Sequence, residues 1–127
     1  METLNVPTRS RTHFVDITRE VQAAAERLGI RDGVVTVFVP HTTAGVTINE
    51  NADPDVTADM ELVLDRMVPW TGGYAHGEGN TAAHVKSSMM GPSLQVLIES
   101  GRLLLGTWQS IYFCEFDGPR TRKVWVK

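Results

Sequence analysis

Apolar residues recur along this chain in two different periods, and the change from one to the other marks out the elements. Residues 4–15 (LNVPTRSRTHFV) are rich in β-formers and Thr and predict strand. In the following DITREVQAAAERLG, Ile17, Val21, Ala24 and Leu28 fall on one stripe of a helix, with Asp16 or Thr18 as its cap and Gly29 as its stop. Residues 34–39 (VVTVFV) form a short β-branched run of the kind a buried strand shows. After Pro40 the alternation is informative. Ala44, Val46 and Ile48 point to one side, and His41, Thr43, Thr47 and Asn49 to the other. That second face is polar but uncharged, where a solvent-facing strand more often carries Lys, Glu or Arg. It predicts a pocket wall.

The helical period returns after Asp53, an N-cap followed by Pro54 at the first helical position. Val56, Met60, Val63 and Met67 then give a stripe expected to be core, and Pro69 ends the helix. Residues 71–80 (TGGYAHGEGN) hold four glycines and predict an irregular loop. TAAHVKSSMM has the propensity for two helical turns before Gly91-Pro92. The rest reads as β: SLQVLIES, a turn at Gly101, a long run LLLGTWQSIYFCEF, a turn at DGPR, and TRKVWVK. Strands flank two or three helices without a βαβ rhythm. The expected fold is α+β, one compact domain over residues 1–127 with mainly antiparallel sheet layers.

Composition narrows the function classes. The chain is 42% hydrophobic and 21% charged, ordinary for a globular domain. Twelve Lys and Arg against fifteen Asp and Glu leave a net charge of −3, without the basic excess of a nucleic-acid binder. Cys114, the single cysteine, cannot form an internal disulfide, which favours a cytoplasmic setting. No apolar run approaches a membrane span, and METLNVPTRSRT lacks the apolar stretch of a signal peptide.

Residues with catalytic or ligand potential gather in three stretches, 41–53, 74–88 and 106–120, each at a strand end or in a loop. Imidazoles with carboxylates such as Glu50, Asp53 or Glu78 suit a divalent ion with an open coordination position. Seven residues separate His76 from His84, which is no known metal signature. Lys86, Ser87 and Ser88 suit a phosphate through an ammonium and two hydroxyls, or are simply an exposed helical turn. Blander readings hold elsewhere. His13 reads as structural, Asp53 first as a cap, and the glycines of 72–79 as turn-formers that match no phosphate-binding fingerprint. Trp108 and Trp125 read as core, and Arg120 and Arg122 as a solvated turn, with Arg120 able to reach an anion.

Taken together the three stretches are specific. HTTAGVTINENADPDV.ADME, Y.H.EGN..AH.KSS..G.S and GR...GTWQ.I...EFDGPR.R resemble the YjbQ family, described as having a secondary thiamine-phosphate synthase activity, from about residue 9 to the C-terminus. The resemblance implies a compact α+β homotrimer with sites near its subunit interfaces. It implies a polar cluster of His41, Asn49, Glu50, Asp53, His76, Glu78, His84, Lys86 and Ser87, with a divalent metal among the imidazoles. Some relatives carry a His after the Glu of EFDGPR; here Phe116 stands there, so that position supplies no ligand.

The implied reaction joins a hydroxymethylpyrimidine diphosphate to a thiazole phosphate and releases pyrophosphate. It needs Mg²⁺ and cations on the leaving diphosphate and shelter from water for the pyrimidine cation. Lys86, Ser87, Ser88 and Arg120 are the expected phosphate-binding groups. His41, Asn49, Glu50, Glu78 and His84 are the expected catalytic ones, and His41, His76, His84 and Asp53 the expected metal ligands. Three imidazoles favour Zn²⁺ over Mg²⁺. Two other classes stay open at this level: a metal-dependent hydrolase of a small phosphate or ester, and a non-catalytic module that binds a small phosphorylated metabolite.

Overall fold

A computed structural model describes residues 1–127, and in it the two periods become two sheets and three helices. The order is β1 (Glu2–Pro7), β2 (His13–Asp16), α1 (Thr18–Arg27), β3 (Gly33–Phe38), β4 (Ala44–Glu50), α2 (Pro54–Met67), α3 (Thr81–Met90), β5 (Ser93–Glu99), β6 (Arg102–Leu103), β7 (Gln109–Glu115) and β8 (Thr121–Val126). One sheet has the order β1-β8-β3-β5-β6 and the other β2-β7-β4. Every strand pair is antiparallel. The fold is α+β, as expected. No helix is long and apolar enough to cross a membrane.

The main core lies between the sheets and α1. Val21, Ala24 and Ala25 of α1 pack with Val35 and Val37 of β3, Ala44 and Val46 of β4, and Ile111 and Phe113 of β7. A smaller cluster on the far face of β7 joins Tyr112 and Cys114 to Phe116, Leu64 and Ala83. Successive side chains of β7 therefore enter different cores, and this is why its sequence is an unbroken apolar run rather than an alternation. Burial raises the Cys114 thiol well above its ordinary value.

Four local expectations need correcting. The stretch 4–15 is two strands in different sheets, because β1 pairs with β8 and β2 with β7. The long run from Leu103 breaks at Gly106, whose carbonyl accepts the Gln109 amide at 3.0 Å in a turn between β6 and β7. Trp108 is 62% exposed, and Trp125 stacks on Phe38 at the outer face of the larger sheet rather than in a core. The stripe of α2 is apolar but not covered: Val63 is 50% and Met67 62% exposed, and only Leu64 of that helix is buried.

The third helix lies directly on β4. A Cβ on Gly45 would come within 2.8 Å of the Gly91 carbonyl oxygen and 2.9 Å of Met90 Cβ, so only glycine permits this approach. Ser87 locks the contact by donating its hydroxyl to the Ala44 carbonyl at 2.7 Å.

Candidate functional site

Three connections meet at one end of the sheets: Pro40–Thr43 ahead of β4, the glycine-rich loop ahead of α3, and the turn 117–120 between β7 and β8. They enclose a cavity of about 390 Å³. Its walls are Pro40 to Thr43, His76, Glu78, Asn80, His84, Asp117, Arg120 and Arg122, with no hydrophobic residue among them.

The turn 117–120 is tied down on the β1 side. The Thr8 amide donates to the Arg120 carbonyl at 2.8 Å, and the Arg120 amide to Thr8 Oγ1 at 2.9 Å. Gly118 lies so close to the Ser10 carbonyl that a Cβ would stand 2.4 Å from it. Asp117 Oδ2 accepts from Arg120 Nη2 at 3.1 Å and from Asn80 Nδ2 at 2.9 Å. One carboxylate therefore links this turn to the start of α3.

Arg122 is the buried anchor. Its Nε donates to Glu115 Oε1 and Oε2 at 2.8 and 3.1 Å, and its Nη2 to Glu115 Oε2 and to Thr43 Oγ1. The pair spans the two sheets, Glu115 closing β7 and Arg122 lying in β8. Glu115 also accepts from Thr8 Oγ1 at 2.8 Å and from the Asp117 amide at 3.2 Å. Burial alone would raise its pKa, but the hydrogen bonds from Arg122, Thr8 and Asp117 outweigh it, and the carboxyl is held below its ordinary value. Arg122 Nη1 has no hydrogen-bond partner in the protein.

The imidazoles differ in their partners. His41 Nε2 accepts the Lys123 amide at 2.9 Å, which places the ring proton of the neutral form on Nδ1. Burial first, and the Arg122 charge second, lower its pKa and keep it neutral. His76 and His84 stand edge to face with ring centroids 5.3 Å apart. Glu78 makes no side-chain hydrogen bond, so its carboxylate is free to act.

His41, His76, His84, Glu78 and Arg120 are thus brought together, and the other expected site residues are not. Asn49 and Glu50 lie at the opposite end of β4, roughly 20 Å of strand away, and Asp53 lies beyond it at the start of α2. Asn49 Oδ1 accepts the Glu50 amide, and Asp53 caps α2 by accepting the Asp55 amide at 2.9 Å. Thr47 and Asn49 do not extend the cavity wall either, because only the residues leading into β4 reach it. The proposed phosphate cluster is dispersed around α3. Lys86 Nζ is buried against Asp65 Oδ1 at 2.5 Å, Ser87 serves the β4 contact, and Ser88 donates to the His84 carbonyl at 3.0 Å. Helical geometry sends these consecutive residues to different sides.

The three-imidazole metal centre does not fit this arrangement. His41 Nε2 is engaged by a backbone amide, Asp53 is remote, and no three His, Cys, Asp or Glu side chains cluster closely enough to hold an ion. Asn80 and Asp117 are wall residues that the sequence pattern does not single out, and Arg122, expected in a solvated turn, is buried in the wall. EGN and EFDGPR carried the signal, since both are polar groups set beside turn-forming glycines.

Comparisons place this geometry among known proteins. The sequence matches the family described as UPF0047 protein YjbQ-like over residues 2–127. UPF0047 protein YugU of Bacillus subtilis is 56% identical, over all of this chain and 97% of that protein. UPF0047 protein YjbQ of Escherichia coli O157:H7 is 36% identical, over 90% of this chain and 85% of its own length. A crystal structure of a yjbq/upf0047 family protein from Clostridium acetobutylicum superposes with a TM-score of 0.97 at 55% identity, covering 100% of this chain and 98% of that one. A conserved hypothetical protein from Thermus thermophilus gives 0.93 at 47% identity, with the same coverage.

Proposed function

We infer that this chain, which belongs to the YjbQ-like UPF0047 family, holds a small phosphorylated metabolite in the cavity and moves protons on it with His76, His84 and Glu78. One observation carries the reading: a cavity of about 390 Å³ has no hydrophobic wall and two guanidiniums, each fixed by its own carboxylate. Fixed guanidiniums suit phosphate because little side-chain freedom is left to lose on binding. Arg122 keeps Nη1 for a ligand oxygen, and His41 offers Nδ1–H without adding charge. The free Glu78 and the His76–His84 pair are the groups placed to take and return a proton.

The coupling of hydroxymethylpyrimidine diphosphate to thiazole phosphate is one reaction these parts could serve, with the arginines on the leaving diphosphate. A wall without apolar residues gives a pyrimidine cation little shelter from water, so phosphate capture is the better supported half. The test is calorimetric titration with inorganic phosphate and pyrophosphate, alongside chromatographic detection of thiamine phosphate from the two precursors with Mg²⁺. Arg120→Met should weaken phosphate binding about tenfold, the worth of one charged hydrogen bond. His84→Ala should leave binding intact and abolish any turnover. Wild-type protein that binds neither anion would overturn the reading.

We also infer that copies of this chain associate as a trimer through α2. The support is its uncovered apolar stripe, in which Val63 is half exposed and Met67 more so. Light scattering should give three times 14.0 kDa, and Val63→Glu should lower that mass. A monomeric wild type at micromolar concentration would refute it.

A further inference from the structure

Only two buried side-chain oxygen or nitrogen atoms in the whole chain have no hydrogen-bond partner, and they are neighbours in sequence: Asn80 Oδ1 and Thr81 Oγ1. Unpaired buried polar atoms are rare because each forfeits its hydration, so two at one helix start call for an explanation. Asn80 lines the cavity and is only 6% exposed. Its amide cannot simply be turned over, since Nδ2 donates to the Asp117 carboxylate and an oxygen there would face an oxygen. Oδ1 is therefore an acceptor waiting for a donor.

The surroundings say what kind of donor. Asn80 is the N-cap of α3 but makes no side-chain cap, and no acidic residue stands in the first turn. The Ala83 and His84 amides turn back to the Asn80 carbonyl, while those of Thr81 and Ala82 find no acceptor. This is the positive end of a ten-residue helix, and the one carboxylate that reaches it, Asp117, is already held by Asn80 Nδ2 and Arg120. A cationic donor such as an ammonium is disfavoured there. A neutral hydroxyl suits it, because one hydroxyl can donate to Asn80 Oδ1 while accepting from Thr81 Oγ1 or from a free amide.

We propose that the metabolite carries a hydroxyl group beside its phosphate, the hydroxyl seated on Asn80 Oδ1 and Thr81 Oγ1 at the start of α3 and the phosphate on the arginine side of the cavity. The substrate class is a small hydroxylated phosphate ester of the polyol or sugar type. This rests on the phosphate reading given above and adds what selects among phosphates. Asn80 and Thr81 are specificity-determining residues on this account.

The test is calorimetric titration of the full chain with glycerol 3-phosphate, propyl phosphate, phosphoethanolamine and inorganic phosphate. Wild-type protein should bind glycerol 3-phosphate about tenfold or more tightly than propyl phosphate, the effect of satisfying an otherwise orphaned buried acceptor. Phosphoethanolamine should gain nothing over propyl phosphate. Thr81→Val, which keeps the side chain's shape, should reduce the preference severalfold and leave propyl phosphate binding unchanged. Asn80→Ala should reduce the preference as well; because it also releases Asp117 beside Arg120, only the ratio of the two esters is read in that variant, with Thr81→Val deciding if it fails to fold. Equal affinity for the glycerol and propyl esters would overturn the hydroxyl assignment and leave the phosphate site standing. A preference for the ammonium ester, or one that survives both substitutions, would overturn it too. Binding of none of the four would overturn the phosphate reading and this inference together.

Discussion

Replacing Arg122 by Met tests how the cavity is held open. Arg122 is 5% and Glu115 0% exposed, so the substitution strands a carboxylate where water does not reach. Breaking one side of such a pair costs about 3–5 kcal/mol. That is a large part of the roughly 5–15 kcal/mol typical of a whole domain. With an m-value of about 2 kcal/mol per molar urea, the midpoint should fall by about 1.5–2.5 M, read from tryptophan fluorescence at fixed protein concentration. Adding Glu115→Gln should recover part of the loss, because the buried charge is then gone while an acceptor for Thr8 remains.

The dependence on pH has a definite sign. In the wild type the Glu115 pKa is lowered, so its contribution is complete above the ordinary value of 4.5 and lost as pH falls through the folded value. In Arg122→Met, burial is opposed only by the Thr8 hydroxyl and the Asp117 amide, so the folded pKa lies above that of the wild type and protonation relieves the variant. The gap between the two proteins should be widest near neutral pH and narrow on acidification. A deficit under about 1 kcal/mol at pH 7, or one that widens in acid, would refute the reasoning.

Two further outcomes follow from the same geometry. Lys86→Met should change stability by no more than about 1 kcal/mol, because Met fills the same space and the half-exposed Asp65 regains water; phosphate affinity should not change. A tenfold loss of phosphate binding would restore Lys86 to the site. The lowered pKa of His41 makes its contribution complete above the ordinary 6.5 and lost as pH falls from there towards the folded value. His41→Gln should flatten that part of the urea-midpoint profile between pH 5 and 7, leaving the part due to His13, whose pKa is also lowered. An unchanged profile would exclude His41 as its source.

What could be read from the chain was local. The stripe of Ile17, Val21 and Ala24 is buried, because a helix against a sheet writes its contact face into its own period. Ala44 and Val46 turn inward as the alternation required. The convergence of His41, His76 and His84 came from the polar face before β4 and the motifs around EGN. Periodicity fails where the partner is distant. It showed that α2 has an apolar stripe, but not that this chain leaves it uncovered. It placed Arg122 in a solvated turn, because nothing in the pattern reveals that Glu115, seven residues back, ends a strand of the other sheet and faces it. Lys86, Ser87 and Ser88 look like one cluster in a string and are three directions on a helix. Asn49 and Glu50 share a strand with the cavity wall, yet strand length carries them away from it.

The bare backbone at Gly45 has a consequence for chemistry as well as packing. Because Gly45 puts no side chain of its own between β4 and the end of α3, the spacing of the helix that carries His84 from the strand that follows His41 is set by backbone contact. A single methyl at position 45 would act as a wedge, prising the helix and its imidazole away from the opposite wall while leaving every residue of that wall unaltered.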